Sequence, residues 1–211
     1  MQAVAKPPVR AVLWDFGGVL STSPFDAFGA YEEEHGLEVG FIRRLNATNP
    51  DTNAWARFER SEVSAAEFAV LFEAEARTAG ATIDAEAILL ALSGQLRPSM
   101  VEAVRRCRAR HKTGLLTNNF LRAEESVMPA EVLDLFDAVV ESSRVGYRKP
   151  DPHFYAIACE MLKIEPSEAV FLDDLGVNLK PARAMGMHTI KVTDPDAALA
   201  ELEDLLGYPV S

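Results

Sequence analysis

Short uninterrupted apolar runs alternate along this chain with stretches of helical periodicity, and no other feature constrains the fold as tightly. The runs fall at residues 9–14, 113–116, 138–141, 169–172 and 188–192. A strand wetted on one face alternates apolar and polar residues, whereas a strand covered on both faces does not need to. Five such runs with helical segments between them predict an α/β fold, a doubly wound, Rossmann-like parallel sheet with helices on both faces.

The helical segments carry their own start and stop signals. In "DPHFYAIACEML", Asp151 can cap a helix and Pro152 suits its first turn. Phe154, Ile157, Ala158, Met161 and Leu162 then share one face. "PSMVEAVRRCRARH" turns Val101, Val104 and Cys107 inward. Asp194 and Pro195 open a last helix whose face is Leu199, Leu202 and Leu206, stopped at Gly207. Between the first and second apolar runs there is no strand pattern. "FDAFGAYEEEHG", "SAAEFAVLFEAEARTAG" and "DAEAILLAL" read as helices, the second with a capping box of Ser64 and Glu67. This stretch is too long for a loop. The expected division is a core domain of residues 1–20 and 96–211 with a helical cap domain, residues 21–95, inserted into it.

Composition excludes several partners. With 211 residues and a formal net charge of −11, the chain lacks the basic surface that nucleic acid or an anionic membrane rewards. No stretch has the length and apolarity of a membrane span. "MQAVAKPPVR" has no apolar h-region and reads as a loose leader. Cys107 and Cys159 lie far apart in helical patterns, which favours reduced, buried thiols and a cytoplasmic setting. His35, His111, His153 and His188 show no metal-ligand spacing.

Ligands of an open parallel sheet bind beyond the carboxyl ends of its strands, so the residues that follow each run decide the chemistry. Asp15 follows the first run, and Thr117, Asn118 and Asn119 the second. Lys149, in "GYRKPDP", lies beyond the third. Asp173, Asp174 and Asn178, in "DDLGVN", follow the fourth. Singly, Asp15 reads as a turn residue before Gly17 and Gly18, Thr117 and the acidic pair as helix caps, and Lys149 as a solvated lysine. Together they gather carboxylates at one rim, which costs energy unless a cation sits among them.

The order of these residues resembles the haloacid dehalogenase-like (HAD) hydrolases. "DFGGV" meets the family's D-x-D-x-[TV] motif, Thr117 its Ser/Thr, "RKPDP" its lysine and "FLDD" its acidic pair; the helical insertion sits where the family carries a cap. The segment from "GYRKPDPHFY" to "KVTDP" is most similar to the HAD domains fused to soluble epoxide hydrolases and to certain acyl-CoA dehydrogenases. No hydrolase or dehydrogenase portion follows Ser211, so the domain is expected to stand alone.

The resemblance implies phosphatase chemistry on a small phosphorylated metabolite. Asp15 would be the nucleophile and form an aspartyl-phosphate. Mg²⁺ would be held by Asp15, Asp174 and the Gly17 carbonyl, with Asp173 adjacent. Lys149 would neutralise phosphate charge, Thr117 and the Asn118 amide would bond phosphate oxygens, and Asn178 would orient the acidic pair. Gly17 and Gly18 would let the backbone, through Gly18 among others, approach the anion. One departure stands out: Gly17 occupies the place of the family's second Asp, the general acid/base. Asp26, Glu33 and His35 are candidate replacements by location only. Other readings are a phosphate- and Mg²⁺-binding regulatory domain that has lost turnover, a phosphotransferase, and a metal-free dehalogenase, for which the acidic pair has no evident use. Phe25, Phe28, Tyr31 and Trp55 form either an apolar substrate wall or the cap's own core.

Overall fold

A computed structural model describes residues 8–92, 94–120 and 128–211; most of the expected leader lies outside the described residues. Five strands, β1 (Ala11–Trp14), β2 (Lys112–Thr117), β3 (Ala138–Glu141), β4 (Ala169–Asp173) and β5 (His188–Lys191), form one sheet in the order β3-β2-β1-β4-β5. Every neighbouring pair is parallel. The apolar runs thus became strands within a residue or two of the expected bounds.

The two-residue period of a strand sends alternate side chains to opposite faces. Val12 and Trp14 of β1, with Val170 and Leu172 of β4, pack under α6 (Pro98–Arg108) and α11 (Pro195–Leu206). Ala11, Leu13 and Phe171 face the other way, against α9 (Pro152–Leu162) and α10 (Gly176–Ala184). Both faces are covered, and the runs could dispense with polar alternation for that reason. The inward face of α9 differs from the sequence expectation. Met161 is 50% exposed, while Tyr155 and Cys159 are buried. Tyr155 can turn inward because its hydroxyl donates to the Asn178 carbonyl of α10 at 2.7 Å, a partner on another element.

Between β1 and α6 run α1 (Pro24–Glu34), α2 (Phe41–Ala47), α3 (Ala54–Glu59), α4 (Ala65–Thr78) and α5 (Ala85–Ala91), and two single-turn helices, α7 (Ala130–Leu133) and α8 (Ser142–Val145), flank β3. Helices α1 to α5 share an apolar cluster of their own, which buries Phe28, Tyr31, Phe58, Phe68 and Phe72. Phe25 and Trp55 pack against that cluster, so the four aromatics in question belong to the core of these helices. Ser64 and Glu67 form the expected capping box at α4. The chain enters and leaves this helical segment through paired connections: Ser21 bridges Leu96, and Thr22 N–H donates to the Gln95 carbonyl at 2.9 Å. Among the described residues, no helix is long and apolar enough to cross a membrane.

Candidate active site

The chain passes from β1 to β2 and β3 on one side, then crosses over β1 to reach β4 and β5 on the other. Such a reversal opens a crevice between β1 and β4 at their carboxyl ends. Asp15 leaves β1 at that crevice, held by its N–H donating to the Leu172 carbonyl at 2.9 Å. Asp173 ends β4. The sheet register thus sets two carboxylates side by side.

Lys149 joins them. Its Nζ lies 2.7 Å from Asp15 Oδ1 and 2.7 Å from Asp173 Oδ2, and the side chain is 1% exposed. Asp15 Oδ1 also accepts from the Phe16 N–H at 2.7 Å. Asp173 is fully buried and fully engaged: Oδ1 accepts from the Leu175 N–H at 2.8 Å, and Asn178 Nδ2 lies 3.1 Å from both oxygens. Asp174 completes the group. One carboxylate oxygen from each of Asp15, Asp173 and Asp174 lies within 4.8 Å of the others.

The charges do not balance within the cluster. Burial pushes the Asp15 carboxyl well above the usual carboxylate range; Lys149 pulls against this, and Asp173 adds to it. Burial and the Asp173 charge raise Asp174 to about 6. Burial alone would depress Lys149, but the Asp15 and Asp173 carboxylates outweigh it and raise its pKa. Three carboxylates facing one ammonium are an incomplete set, and hard carboxylate oxygens of this kind suit Mg²⁺. The residues therefore fit a divalent cation, with Asp15 and Asp174 offering carboxylate oxygens and Asp173, already fully bonded, beside them.

Two glycines follow Asp15, and they differ. Gly18 has φ +78°, and a Cβ there would lie 2.4 Å from Asp174 Oδ2, so this position admits only glycine if Asp174 is to keep its place. Gly17 has φ −68° and ψ 127°, a conformation open to any L-residue. The expectation that both glycines serve the backbone turn holds for Gly18 alone.

Thr117 ends β2 and is buried. The Asn118 side chain also holds the Lys149 main chain: its Oδ1 accepts from the Lys149 N–H at 2.8 Å and its Nδ2 donates to the Lys149 carbonyl at 3.0 Å. Its Nδ2 carries a second hydrogen, so the side chain keeps one donor for an anion. Asp26, Glu33 and His35 are exposed, and His35 Nδ1 lies 2.9 Å from the Tyr31 carbonyl with its ring stacked on Tyr31. The charged side chains that act most strongly on Asp15 are Lys149, Asp173 and Asp174; Asp26, Glu33 and His35 are not among them. Arg97, which sequence reasoning passed over, donates to the Gly18 carbonyl at 2.8 Å and helps hold down the Asp174 pKa. Its position just after the helical segment was the available signal.

A family model described as haloacid dehalogenase-like hydrolase matches residues 9–186. The chain is 38% identical over 208 residues to acyl-CoA dehydrogenase family member 10 of Mus musculus, covering 95% of this chain and 19% of that protein. It is 32% identical over 219 residues to bifunctional epoxide hydrolase 2 of Sus scrofa, covering 94% of this chain and 39% of that protein. The chain thus spans well under half the length of either relative. Among solved structures, a similar fold is that of a HAD family enzyme from Bacteroides thetaiotaomicron, solved in complex with magnesium and inorganic phosphate. The TM-score is 0.60 at 18% identity, covering 87% of this chain and 93% of that one.

Proposed function

The chain belongs to the haloacid dehalogenase-like hydrolases, and from that premise we propose that it is a Mg²⁺-dependent phosphatase acting on a small phosphorylated metabolite. The observation that carries this reading is the buried Lys149, 2.7 Å from both Asp15 and Asp173, beside a third carboxylate at the sheet's switch point. A lysine so placed answers to an anion that arrives against Asp15, and the surplus carboxylates answer to a cation.

In this reading Asp15 attacks phosphorus, displaces the substrate alkoxide and becomes an aspartyl-phosphate, which water then hydrolyses. Lys149, Thr117 and the Asn118 N–H stabilise the phosphoryl oxygens. Asn178 and the Leu175 N–H fix Asp173, which in turn fixes Lys149. Asp15, Asp174 and the Gly17 carbonyl, with Asp173 adjacent, hold Mg²⁺, which supplies charge neutralisation and Lewis acidity. The helical segment, residues 21–95, acts as a cap over a core of residues 1–20 and 96–211. Nucleic acid and membranes are not partners. A cytoplasmic setting accords with Cys107 and Cys159, buried thiols whose pKa values burial pushes up to about 12 and about 11.

Gly17 favours a second reading, a regulatory domain that binds phosphate and Mg²⁺ without turnover. The deciding experiment measures hydrolysis of an activated aryl phosphate with and without Mg²⁺, beside an Asp15→Asn control. Metal-dependent turnover that the control loses supports the phosphatase. Phosphate binding with no turnover and no phospho-enzyme supports the regulatory domain.

A further inference from the structure

Three neighbouring residues of the helical segment each grip the active-site loops. Phe58 of α3 stacks on Phe120, which lies three residues beyond Thr117, with ring centroids 4.7 Å apart. Glu59 Oε2 accepts from Arg148 Nε at 2.6 Å, and Arg148 immediately precedes Lys149. Ser61 Oγ donates to the Ser143 carbonyl at 2.9 Å, in the chain leading to the same lysine. The loops are also tied to each other, since the Asn118 side chain bonds both main-chain polar atoms of Lys149.

The Glu59–Arg148 pair is built as a joint and not as a passing surface contact. Their side chains are 9% and 20% exposed. Glu59 Oε1 is held by the Trp55 Nε1–H at 2.9 Å, and Arg148 Nη1 donates to the Pro50 carbonyl at 2.8 Å. Arg148 therefore makes two bonds to the helical segment from opposite edges of its guanidinium, which fixes orientation as well as distance. Surface ion pairs hold little; a shielded pair with further bonds at both ends holds geometry.

We propose that Arg148 and Glu59 are positioning residues for Lys149: through them the seating of the helical segment and the placement of the lysine between Asp15 and Asp173 become one event. This rests on the proposed role of Lys149 toward phosphate. Neither residue touches the reacting atoms. A displacement of about 1 Å in a catalytic group can cost on the order of 100-fold in rate, so a loosened joint is read in kcat.

The test compares wild type, Glu59→Gln, Arg148→Met and the double variant in Mg²⁺-dependent hydrolysis of p-nitrophenyl phosphate. Each single variant should lose about 10- to 100-fold in kcat with KM changed less than threefold, and the double variant should be no worse than the weaker single. Multiplicative losses, or kcat unchanged in Arg148→Met, overturn the proposal. Hydrogen exchange supplies a readout independent of activity and judges the joint even if wild type shows no turnover, an outcome that counts against the phosphatase reading alone. In Arg148→Met the Lys149 amide and the α3 amides should lose protection together. Loss confined to α3 would show that the lysine is held without the joint and overturn the proposal. Should Glu59→Gln fail to fold, the Arg148→Met exchange and kinetics decide the matter alone.

Discussion

Restoring a carboxylate at position 17 tests the account of the site most directly. Gly17 stands where the resemblance places a general acid/base, yet its φ of −68° and ψ of 127° make no demand for glycine. A Cβ there would lie 3.3 Å from Pro24 Cδ, a tight contact that the ring, at the start of α1, can relieve by a few tenths of an ångström. The stability cost of Gly17→Asp should stay near or below about 1 kcal/mol, the low end for overpacking. General acid–base catalysis contributes about 10²- to 10⁴-fold, or roughly 3–5 kcal/mol of barrier. The gain should depend on the leaving group. An alkyl phosphate, whose alkoxide needs a proton to depart, should gain on the order of 100-fold or more, whereas p-nitrophenyl phosphate should gain much less. Steady-state kinetics on both substrates, with Mg²⁺ and with thermal melts as a control, give the ratio. A folded Gly17→Asp protein whose alkyl-to-aryl ratio matches wild type would refute the claim that a missing proton donor limits this site.

Gly18→Ala should do the opposite, because it forces a side chain into the left-handed region at about 1–2 kcal/mol and drives Asp174 from its place; a Mg²⁺ titration should show affinity weakened by about tenfold or more, the equivalent of about 1.4 kcal/mol. For pH, the raised Asp174 pKa of about 6 means the folded state binds a proton more readily than the unfolded one between the ordinary carboxylate value and 6. Stability from this group is therefore present at low pH and is lost as pH rises through about 6. Mg²⁺ competes with that proton, so the metal-induced rise in Tm should be larger at pH 7.5 than at pH 5, and an equal rise at both would contradict the assignment. Ser64→Ala removes the α4 capping box and should cost about 1 kcal/mol in a denaturant melt with kcat unchanged, since Ser64 and Glu67 bond only to each other's helix end.

The sheet and the candidate site were legible for one physical reason. Strands buried on both faces write themselves as apolar runs, and a parallel sheet puts whatever follows each run at one rim. Asp15, Thr117 and Asp173 could be placed together from that alone. What stayed hidden depended on partners far along the chain. Periodicity assigned Met161 to the core, while Tyr155 earned burial through a hydroxyl bond to Asn178 that no local pattern announces. The double glycine looked like one device; backbone angles separate Gly18, which must be glycine, from Gly17, which need not be. Asn118 reads as an anion ligand through the resemblance, and nothing local announces that its side chain also clasps Lys149's backbone. Glu59 and Arg148 are 89 positions apart, and each alone looks like a solvated charge.

The charge arrangement makes one further demand. Fully ionised, Asp15, Asp173 and Asp174 would carry three negative charges against the one positive charge of Lys149, and the raised pKa values of Asp15 and Asp174 express that excess. A phosphate dianion meeting that surplus gains nothing until a divalent cation offsets it. Two unit charges about 4 Å apart interact by roughly 4 kcal/mol at an effective dielectric of about 20, so the sign of Lys149 should act oppositely on the two ligands. Lys149→Met keeps a long apolar stem in the buried slot and removes the ammonium that occupies Asp15 and Asp173. Mg²⁺ should then bind at least as tightly as in wild type, while inorganic phosphate, measured by calorimetry in saturating Mg²⁺, should bind at least tenfold more weakly. In the wild-type protein the two ligands must strengthen each other by the same factor, because linkage is reciprocal. If Lys149→Met folds and weakens both ligands alike, the lysine is a structural strut between two carboxylates. The phosphate-facing role assigned to it would then be wrong.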